Sequence, residues 1–174
     1  MPLHEVAGDL LDFQGVIVQQ CNCLTLKSLG LAKAIDQRFG VNPYAGRVGR
    51  SSNAADAATS SLPGTIRLLE TASGATVACL FAQYAPGRAG GNSFYTRICR
   101  ERGILEDAQQ RCDWFQQCLE LLAARLPDGT RVAFPHGIGC GLAGGNWASY
   151  RAMLLQWSDA HPQLHVSVLQ LDSK

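Results

Sequence analysis

The spacing of apolar residues changes repeatedly along the chain. Short runs of β-branched and other apolar residues, typical of strands, alternate with stretches in which apolar residues recur every three or four positions, typical of helices. Strands are predicted over 16–20, 65–69, 76–81, 131–134 and 164–171. Helices are predicted over 31–39, 111–126 and 147–158. Strands and helices in alternation, joined by glycine-rich segments, predict an α/β protein with a mixed sheet covered by helices.

Capping residues mark several helix ends. Asn146 is a good N-cap for the last helix, and Asp107 or Asp113 favours the N-terminal end of the helix before it. Gly40 is a stop signal for the first helix, and Pro127 is one for the second. The helix boundaries are therefore defined by local chemistry as well as by periodicity.

The composition is that of an ordinary globular protein. Of the 174 residues, 47% are apolar and 17% are charged, and this length predicts a single domain over 1–174. No stretch reaches the ~18 apolar residues of a membrane span. Residues 1–12 lack the basic start and the apolar run of a signal peptide. We therefore expect a cytoplasmic protein without a membrane partner.

Charge and cysteine usage narrow the classes of partner. The chain has 15 basic and 14 acidic residues and a net charge of +1, which is no strong signal for nucleic-acid binding. The basic cluster of Arg97, Arg100 and Arg102 around Glu101 favours a solvated face over a phosphate patch. The seven cysteines fit reduced, buried thiols, and the lone C-x-C spacing at 21–23 predicts no metal site. The sequence predicts no cofactor.

The strongest local motif is a glycine-rich loop between a predicted strand and a predicted helix. Five of the nine residues 137–145 are glycine. Glycine reaches positive φ and lets backbone amides approach a ligand, and amides at a helix N-terminus favour an anion such as a diphosphate. A tightly packed turn without a ligand is the less favoured alternative. The loop also matches G-x-G-x-x-G over 139–144, but only one strand follows its helix, which disfavours a nicotinamide-cofactor enzyme.

Two polar residues follow predicted strands and have two interpretations each. Asn22 either presents its amide to a ligand or closes a turn by bonding its own backbone, and spacing alone does not separate the two. Asp9, after Gly8 at the end of a short strand, either accepts a hydrogen bond from an exocyclic amine or caps a turn, which is the commoner role for such a residue.

In combination these segments resemble the macro domain family. The matching segments are Gly8-Asp9-Leu10, Cys21-Asn22-Cys23, Gly30-Leu31-Ala32-Lys33-Ala34-Ile35, Ile138-Gly139-Cys140-Gly141-Leu142 and Gly144-Gly145-Asn146-Trp147. Their order and spacing extend over nearly the whole chain, from Gly8 to Trp157. The resemblance implies a three-layer α/β/α fold around a central mixed sheet, with ADP-ribose or a derivative as the ligand.

The resemblance also implies roles for individual residues. Asp9 would contact the adenine amino group, Asn22 would lie near the distal ribose, and the amides of 139–144 would bind the diphosphate. The implied ligand-binding residues are Asp9, Leu10, Asn22, Gly30, Leu31, Ala32, Gly137, Ile138, Gly139, Cys140, Gly141, Leu142 and Gly144. Segments 48–61 and 84–91 would form variable rims of the cleft. The candidates for stacking on the adenine are the aromatic residues Phe94, Tyr95 and Tyr150.

The variant Ile-Gly-Cys-Gly-Leu is most similar to the branch that contains the yeast-type ADP-ribose 1″-phosphate phosphatases and the terminal ADP-ribose–protein glycohydrolase. The glycohydrolase uses a lysine and an aspartate, whereas this chain has Ala143 at the aligned aspartate position and no lysine in 81–84. We therefore predict hydrolysis of ADP-ribose 1″-phosphate to ADP-ribose, with Asn22 and His136 as the catalytic residues beside the distal ribose. The alternatives are a non-catalytic module that reads ADP-ribose, free or on an ADP-ribosylated protein, and a hydrolase that removes ADP-ribose from a modified macromolecule.

Overall fold

The computed structural model describes residues 3–49 and 52–172, which contain one six-stranded sheet. Its strands are β1 (His4–Ala7), β2 (Val16–Asn22), β3 (Ile66–Glu70), β4 (Thr76–Gln83), β5 (Arg131–Pro135) and β6 (His165–Gln170). They lie in the order β1-β6-β5-β2-β4-β3. Neighbouring strands are parallel except for β3 and β4, so the sheet is mixed, as predicted. Residues 50 and 51 of the expected rim 48–61 lie outside the described residues.

Helices cover the sheet in a three-layer α/β/α arrangement. They are α1 (Gly30–Phe39), α2 (Ser93–Glu101), α3 (Ala108–Arg125) and α4 (Trp147–Ala160), with a short 3₁₀ helix over Leu10–Asp12. Two predicted caps are confirmed. The Asp107 carboxylate accepts the N–H of Gln110 at 2.7 Å before α3, and the Asn146 side chain accepts that of Ser149 at 3.2 Å before α4. Gly40, at φ +68°, ends α1 as predicted.

Helix α2 is absent from the elements that the sequence predicts. Its one fully buried residue, among those described, is Cys99, so the apolar stripe that would reveal the helix is narrow. A local signal is nevertheless present, because the side chain of Asn92 accepts the N–H of Phe94 at 2.9 Å and caps the first turn. The asparagine before a short polar helix is thus the feature from which α2 can be predicted.

The basic cluster at the end of α2 is solvated only in part. Arg97 and Arg100 are exposed, as predicted. The guanidinium of Arg102 instead donates to the hydroxyl of Tyr84 at 2.9 Å and to the carbonyl of Ala55 at 2.8 Å. The prediction of a solvated face is therefore wrong for Arg102, which joins the end of α2 to the segment around Ala55.

The core lies on both faces of the central strands β2, β4 and β5. Strands of a covered parallel sheet are apolar along their whole length, and accordingly Ile17, Val77 and Ala133 are fully buried. Helices α3 and α4 contribute several of the aromatic residues of the core. The ring of Phe115 packs 4.8 Å from that of Tyr150, measured between ring centroids.

The carboxyl ends of β2, β4 and β5 meet at one edge of the sheet. These strands end at Asn22, Gln83 and Pro135, and β2 is parallel to both of its neighbours. Open α/β sheets bind ligands in the crevice outside the carboxyl ends of their strands. A ligand site is therefore expected at this edge of the sheet.

A buried ion pair stabilises the backbone at this edge. The Nε of Arg111 lies 3.0 Å from Oε1 of Glu106, and each side chain is 3% exposed. The Glu106 carboxylate also accepts the N–H of Tyr84 at 2.6 Å and that of Ala85 at 3.2 Å, just after β4. A buried carboxylate is tolerated when a charge partner and hydrogen bonds replace its hydration, and both conditions are met here.

The guanidinium of Arg111 extends the same network to the loop after β5. Its two terminal nitrogens donate to the carbonyls of Gly87 at 2.6 Å, Ala85 at 3.1 Å and Ala143 at 3.2 Å. One side chain of α3 thus holds the segment after β4 against the segment after β5. The separation of these two segments sets the width of the crevice between them.

We expect Arg111→Leu to lower the free energy of unfolding by about 3–5 kcal/mol, because it leaves the Glu106 carboxylate buried without its charge partner. Urea unfolding followed by tryptophan fluorescence measures this change. The control is Arg151→Ala, which removes an exposed ion pair with Glu5 and should cost less than about 1 kcal/mol. Equal losses in the two variants would contradict the structural role of the buried pair.

Candidate functional site

A cleft of about 780 Å³ lies at the carboxyl ends of β2, β4 and β5. Its walls are formed by four backbone segments rather than by one element. They are the exit of β2 with Thr25 and Lys27, the start of α1 at 29–32, the segment 86–92 after β4, and the segment 135–143 after β5. The cleft therefore occupies the position that the sheet topology predicts for a ligand.

The segment after β5 forms a loop, here called the glycine loop (residues 137–145), that is folded by its own hydrogen bonds. The N–H of Cys140 donates to Gly137 at 2.8 Å, that of Gly144 to Gly141 at 3.0 Å, and that of Gly145 to Gly139 at 3.0 Å. Gly137, Gly139 and Gly144 have φ of +73°, +74° and +71°, a region that side chains with a Cβ rarely adopt. The glycines are thus required by the path of the loop.

Five other amides of the glycine loop are left without an acceptor. Among the described residues, no oxygen accepts the N–H groups of Gly137, Gly139, Gly141, Leu142 and Ala143. The same five residues line the cleft, whereas Cys140 and Gly144, whose amides are bonded within the loop, do not. The structure thus divides the predicted diphosphate-binding residues into a set that presents free donors and a set that shapes the turn.

Gly139 also fits too closely against its neighbours for a side chain. A Cβ at this position would lie 2.6 Å from the ring of Tyr150 and 2.8 Å from Oε1 of Gln20. Tyr150 is buried in the core and cannot move away cheaply. One of the free amides of the glycine loop is therefore held directly against the rigid part of the protein.

The N-terminus of α1 opens into the same cleft without a side-chain cap. Leu29 is its N-cap residue and makes no capping hydrogen bond, and the first helical residues Gly30, Leu31 and Ala32 line the cleft. The first amides of a helix have no partner within the helix, and they carry the positive end of the helix dipole. In contrast, α2, α3 and α4 all begin with an Asn or Asp side chain that accepts such an amide.

The charged side chains in the wall of the cleft are cationic. They are Lys27 and Arg88, and no carboxylate occurs among the described residues that line it. The side chain of Arg88 lies over the glycine loop, since a Cβ at Gly144 would be 2.6 Å from its Cγ. The net charge of the whole chain is +1, so it does not reveal the local excess of positive charge in the cleft. Neither Lys27 nor Arg88 belongs to a recognisable motif, so spacing along the sequence does not indicate their role.

Asn22 lines the cleft, but its side chain is engaged in holding the backbone. Its Oδ1 accepts the N–H groups of Leu24 at 3.0 Å and Thr25 at 2.8 Å, and its Nδ2 lies 3.3 Å from the hydroxyl of Tyr44. The carbonyl of Asn22 accepts from Arg47 at 2.7 Å. These contacts match the second of the two interpretations from sequence, in which Asn22 closes a turn after its strand.

His136 is exposed at the boundary of the cleft. Its ring packs against Trp147, with the centroids 4.7 Å apart, and its backbone N–H donates to Leu169 at 2.8 Å. The imidazole therefore has a defined position directly after β5 and remains accessible to a ligand. Trp147 is half-buried and provides the surface on which the imidazole rests.

Asp9 and Leu10 lie outside the wall of the cleft. The Asp9 carboxylate caps the 3₁₀ helix by accepting the N–H of Leu11 at 2.9 Å, and Leu10 is buried in the core. Neither occurs among the described residues that line the cleft. The capping role weighed for Asp9 from sequence is thus the one that the contacts show.

Of the three aromatic candidates for stacking, Tyr95 is the one in the wall of the cleft. Tyr150 is buried, with 2% of its surface exposed, so it is inaccessible to a ligand. Phe94 packs edge-on against Tyr95, with the ring centroids 5.1 Å apart. The hydroxyl of Tyr95 donates to the carbonyl of Asn53 at 3.4 Å, which joins α2 to the opposite rim.

The cysteines offer neither a metal site nor a reactive thiol in the cleft wall. All seven are free, and no group of three or more His, Cys, Asp or Glu among the described residues is arranged to hold a metal ion. Burial raises the pKa of the Cys118 thiol to about 12 and that of Cys99 to about 11. Such thiols are protonated near neutral pH and are poor nucleophiles.

No helix of the described residues has the length and apolar character needed to cross a membrane. No family model and no curated protein matches the sequence. Solved structures, however, do match this chain.

A protein of unknown function from Bacteroides thetaiotaomicron matches with a TM-score of 0.65 and 19% identity, over 98% of this chain and 99% of that one. The macrodomain of Mycobacterium tuberculosis DarG matches with a TM-score of 0.57 and 15% identity, over 98% of both chains. The Trypanosoma brucei macrodomain, solved in complex with ADP, matches with a TM-score of 0.60 and 17% identity, over 99% of this chain and 65% of that one.

At these low sequence identities, the structural matches establish the fold alone. Two of the three structures are macrodomains, and the match extends over nearly all of this chain. The mixed sheet, the covering helices and the glycine loop after β5 agree with the resemblance drawn from sequence. The chain therefore has the macrodomain fold.

Proposed function

We propose that this protein binds ADP-ribose or ADP-ribose 1″-phosphate in the cleft, with the diphosphate on the glycine loop. The observation that carries the proposal is the set of five glycine-loop residues that line the cleft and whose amides lack an acceptor, namely Gly137, Gly139, Gly141, Leu142 and Ala143. Gly137, Gly139 and Ala143 are half-buried, and an amide that is shielded from water without a partner is unfavourable in the free protein, whereas Gly141 and Leu142 are exposed. A diphosphate oxygen supplies the missing acceptors with charge-assisted hydrogen bonds.

The electrostatics of the cleft support an anionic ligand. The uncapped N-terminus of α1, with Lys27 and Arg88, contributes positive potential, and no described carboxylate in the wall opposes it. A helix N-terminus with free amides is a general anion site. The volume, about 780 Å³, also falls within the range of roughly 300–1,000 Å³ that small-molecule sites occupy.

The structural neighbours agree with this class of ligand. The Trypanosoma brucei macrodomain was solved with ADP, which shares the adenosine diphosphate part of ADP-ribose. The macro domain resemblance implies that the distal ribose lies near Asn22. In this chain Asn22 acts on the ligand through the backbone that it fixes, so we assign it a positioning role.

Wild-type protein should bind ADP-ribose in a calorimetric titration, and AMP should bind much more weakly because it lacks the diphosphate and the distal ribose. Adenosine, which has no phosphate, serves as the second control. Absence of heat with ADP-ribose, or equal affinity for ADP-ribose and adenosine, would contradict the proposal.

Leu142→Pro should weaken ADP-ribose binding roughly tenfold or more, since it removes one donor to a charged group, worth about 1.5–3 kcal/mol. The substitution breaks no hydrogen bond of the free protein, because the Leu142 amide has no acceptor among the described residues. The matched control is Leu142→Ala, which keeps the amide and removes only an exposed side chain.

Calorimetry on both variants separates the loss of the amide donor from the loss of the side chain. Thermal unfolding verifies that both variants are folded. Similar affinities in Leu142→Pro and Leu142→Ala would show that the ligand does not use this amide.

A second candidate function is hydrolysis of ADP-ribose 1″-phosphate to ADP-ribose. It is favoured by His136, an exposed imidazole in the wall of the cleft, because an imidazole can donate and accept a proton near neutral pH. In this mechanism His136 assists the attack of water on the phosphate or protonates the departing ribose oxygen. Ala143 offers the cleft an amide and a methyl group only, so it supplies no acid for a glycohydrolase reaction.

His136→Gln should reduce phosphate release from ADP-ribose 1″-phosphate by roughly 10²-fold, the lower range for loss of a general acid or base. Its affinity for ADP-ribose should change little, which distinguishes catalysis from binding. A colorimetric phosphate assay gives the rate. A wild-type protein that binds ADP-ribose but releases no phosphate is instead a reader module.

A further inference from the structure

The side chain of Arg47 contacts three residues of the cleft wall from behind. Its guanidinium donates to the carbonyl of Asn22 at 2.7 Å and to that of Thr25 at 2.6 Å. It also lies over the ring of Tyr44, with the guanidinium carbon 4.2 Å from the ring centroid. Asn22, Thr25 and Tyr44 all line the cleft, whereas Arg47 does not. Arg47 therefore lies directly behind the wall and does not contact a ligand in the cleft.

The positive charge of Arg47 has no carboxylate partner among the described residues. Its remaining hydrogen bond goes to the hydroxyl of Ser61 at 2.9 Å, and its Nε is buried without an acceptor. Burial lowers the pKa of Arg47, which is the direction expected for a cation that has lost water without gaining an anion. Arg111, in contrast, is paired with Glu106. The wall of the cleft is thus backed by a half-buried charge that no described carboxylate neutralises.

A charge in this position contributes to the potential inside the cleft. Water and salt screen exposed charges, whereas a charge that is shielded by protein is screened much less. The described wall of the cleft contains no carboxylate that would oppose Arg47, and Lys27 and the uncapped start of α1 add to the same sign. An anion in the cleft is therefore stabilised by Arg47 through the wall, whereas an uncharged ligand is not.

The same side chain also holds the turn after β2, and the two effects can be separated by substitution. The planar guanidinium donates to two carbonyls and one hydroxyl at once. A lysine carries the same charge on a single nitrogen and cannot reproduce this fork of donors. A glutamine has a planar donor group but no charge. Lysine at position 47 thus preserves the charge, and glutamine preserves part of the hydrogen bonding.

We propose that Arg47 is a specificity-determining residue of the cleft, whose half-buried positive charge selects a diphosphate-bearing ligand over an uncharged nucleoside without contacting it. The inference rests on the proposed function, because the anion that it selects is the one proposed to lie on the glycine loop. Since Arg47 acts through Asn22, Thr25 and Tyr44, it is a positioning residue and takes no part in the chemistry.

The test measures the affinities for ADP-ribose and for adenosine, titrated to millimolar concentrations, by calorimetry. Arg47→Gln should weaken ADP-ribose binding roughly tenfold, the order expected for one charge that acts across a protein wall at an effective dielectric constant of about 20. Its affinity for adenosine should change little. Arg47→Lys should keep most of the affinity for ADP-ribose, because the charge remains although the fork of hydrogen bonds is lost.

The matched control is Arg67→Gln. The guanidinium of Arg67 lies 5.8 Å from the centroid of the Phe81 ring, as does that of Arg47, and it also has no carboxylate partner among the described residues. It donates to the carbonyl of Pro43, which does not line the cleft, and it is exposed. Because an exposed charge is screened, this variant should change the affinity for ADP-ribose less than about twofold.

The outcomes separate charge, geometry and the proposed function. Equal losses in Arg47→Gln and Arg47→Lys, or equal losses for ADP-ribose and adenosine, would show a purely structural role and overturn the inference. Equal effects of Arg47→Gln and Arg67→Gln overturn it as well, since only net charge then matters. Thermal unfolding verifies each variant, and Arg47→Met, which retains the apolar stem over Tyr44, replaces Arg47→Gln if that variant does not fold.

A result with the wild-type protein distinguishes this inference from the proposed function. If wild-type protein binds ADP-ribose and Arg47→Gln binds it as tightly, the inference alone is wrong. If the wild-type protein does not bind ADP-ribose, the proposed function is wrong and the inference falls with it.

Discussion

The geometry of the site depends on the buried ion pair between Glu106 and Arg111. The carboxylate holds the amides that follow β4, and the guanidinium holds carbonyls that follow β4 and β5. Because both side chains are almost fully buried, their hydrogen-bonding groups must find partners within the protein. The pair thereby fixes the distance between two loops that periodicity alone leaves free.

Within this frame, the candidate site is made mainly of backbone. The free amides of the glycine loop and of the start of α1 are the donors, and side chains such as Asn22 act by holding the backbone in place. Such donors are already oriented before a ligand arrives, so little order is lost on binding. Glycine is required where a loop turns at positive φ and where Gly139 meets the core residue Tyr150. Side-chain charge is added at the rim, through Lys27 and Arg88.

A second cavity of about 370 Å³ adjoins the cleft, and Arg88 lines both. The surrounding segment, from residue 84 to Glu106, includes α2 and its Asn92 cap. It is connected to the opposite rim by contacts of Tyr95 with Asn53 and of Arg102 with Ala55. The segment that contains α2, the helix absent from the sequence prediction, thus joins the two rims of the cleft.

The sequence by itself determined the class of fold and the location of the glycine loop. Strand and helix periods, the caps at Asp107 and Asn146 and the stop at Gly40 are local properties, and the structure has the corresponding elements, with boundaries that differ by a few residues. Tertiary structure alone decided which amides of the loop are free, because that depends on hydrogen bonds within a folded turn. It also decided that Arg88 lies over Gly144 and that Arg111 joins residues 87 and 143. These contacts link positions far apart in the chain, and no spacing within a single element reports them.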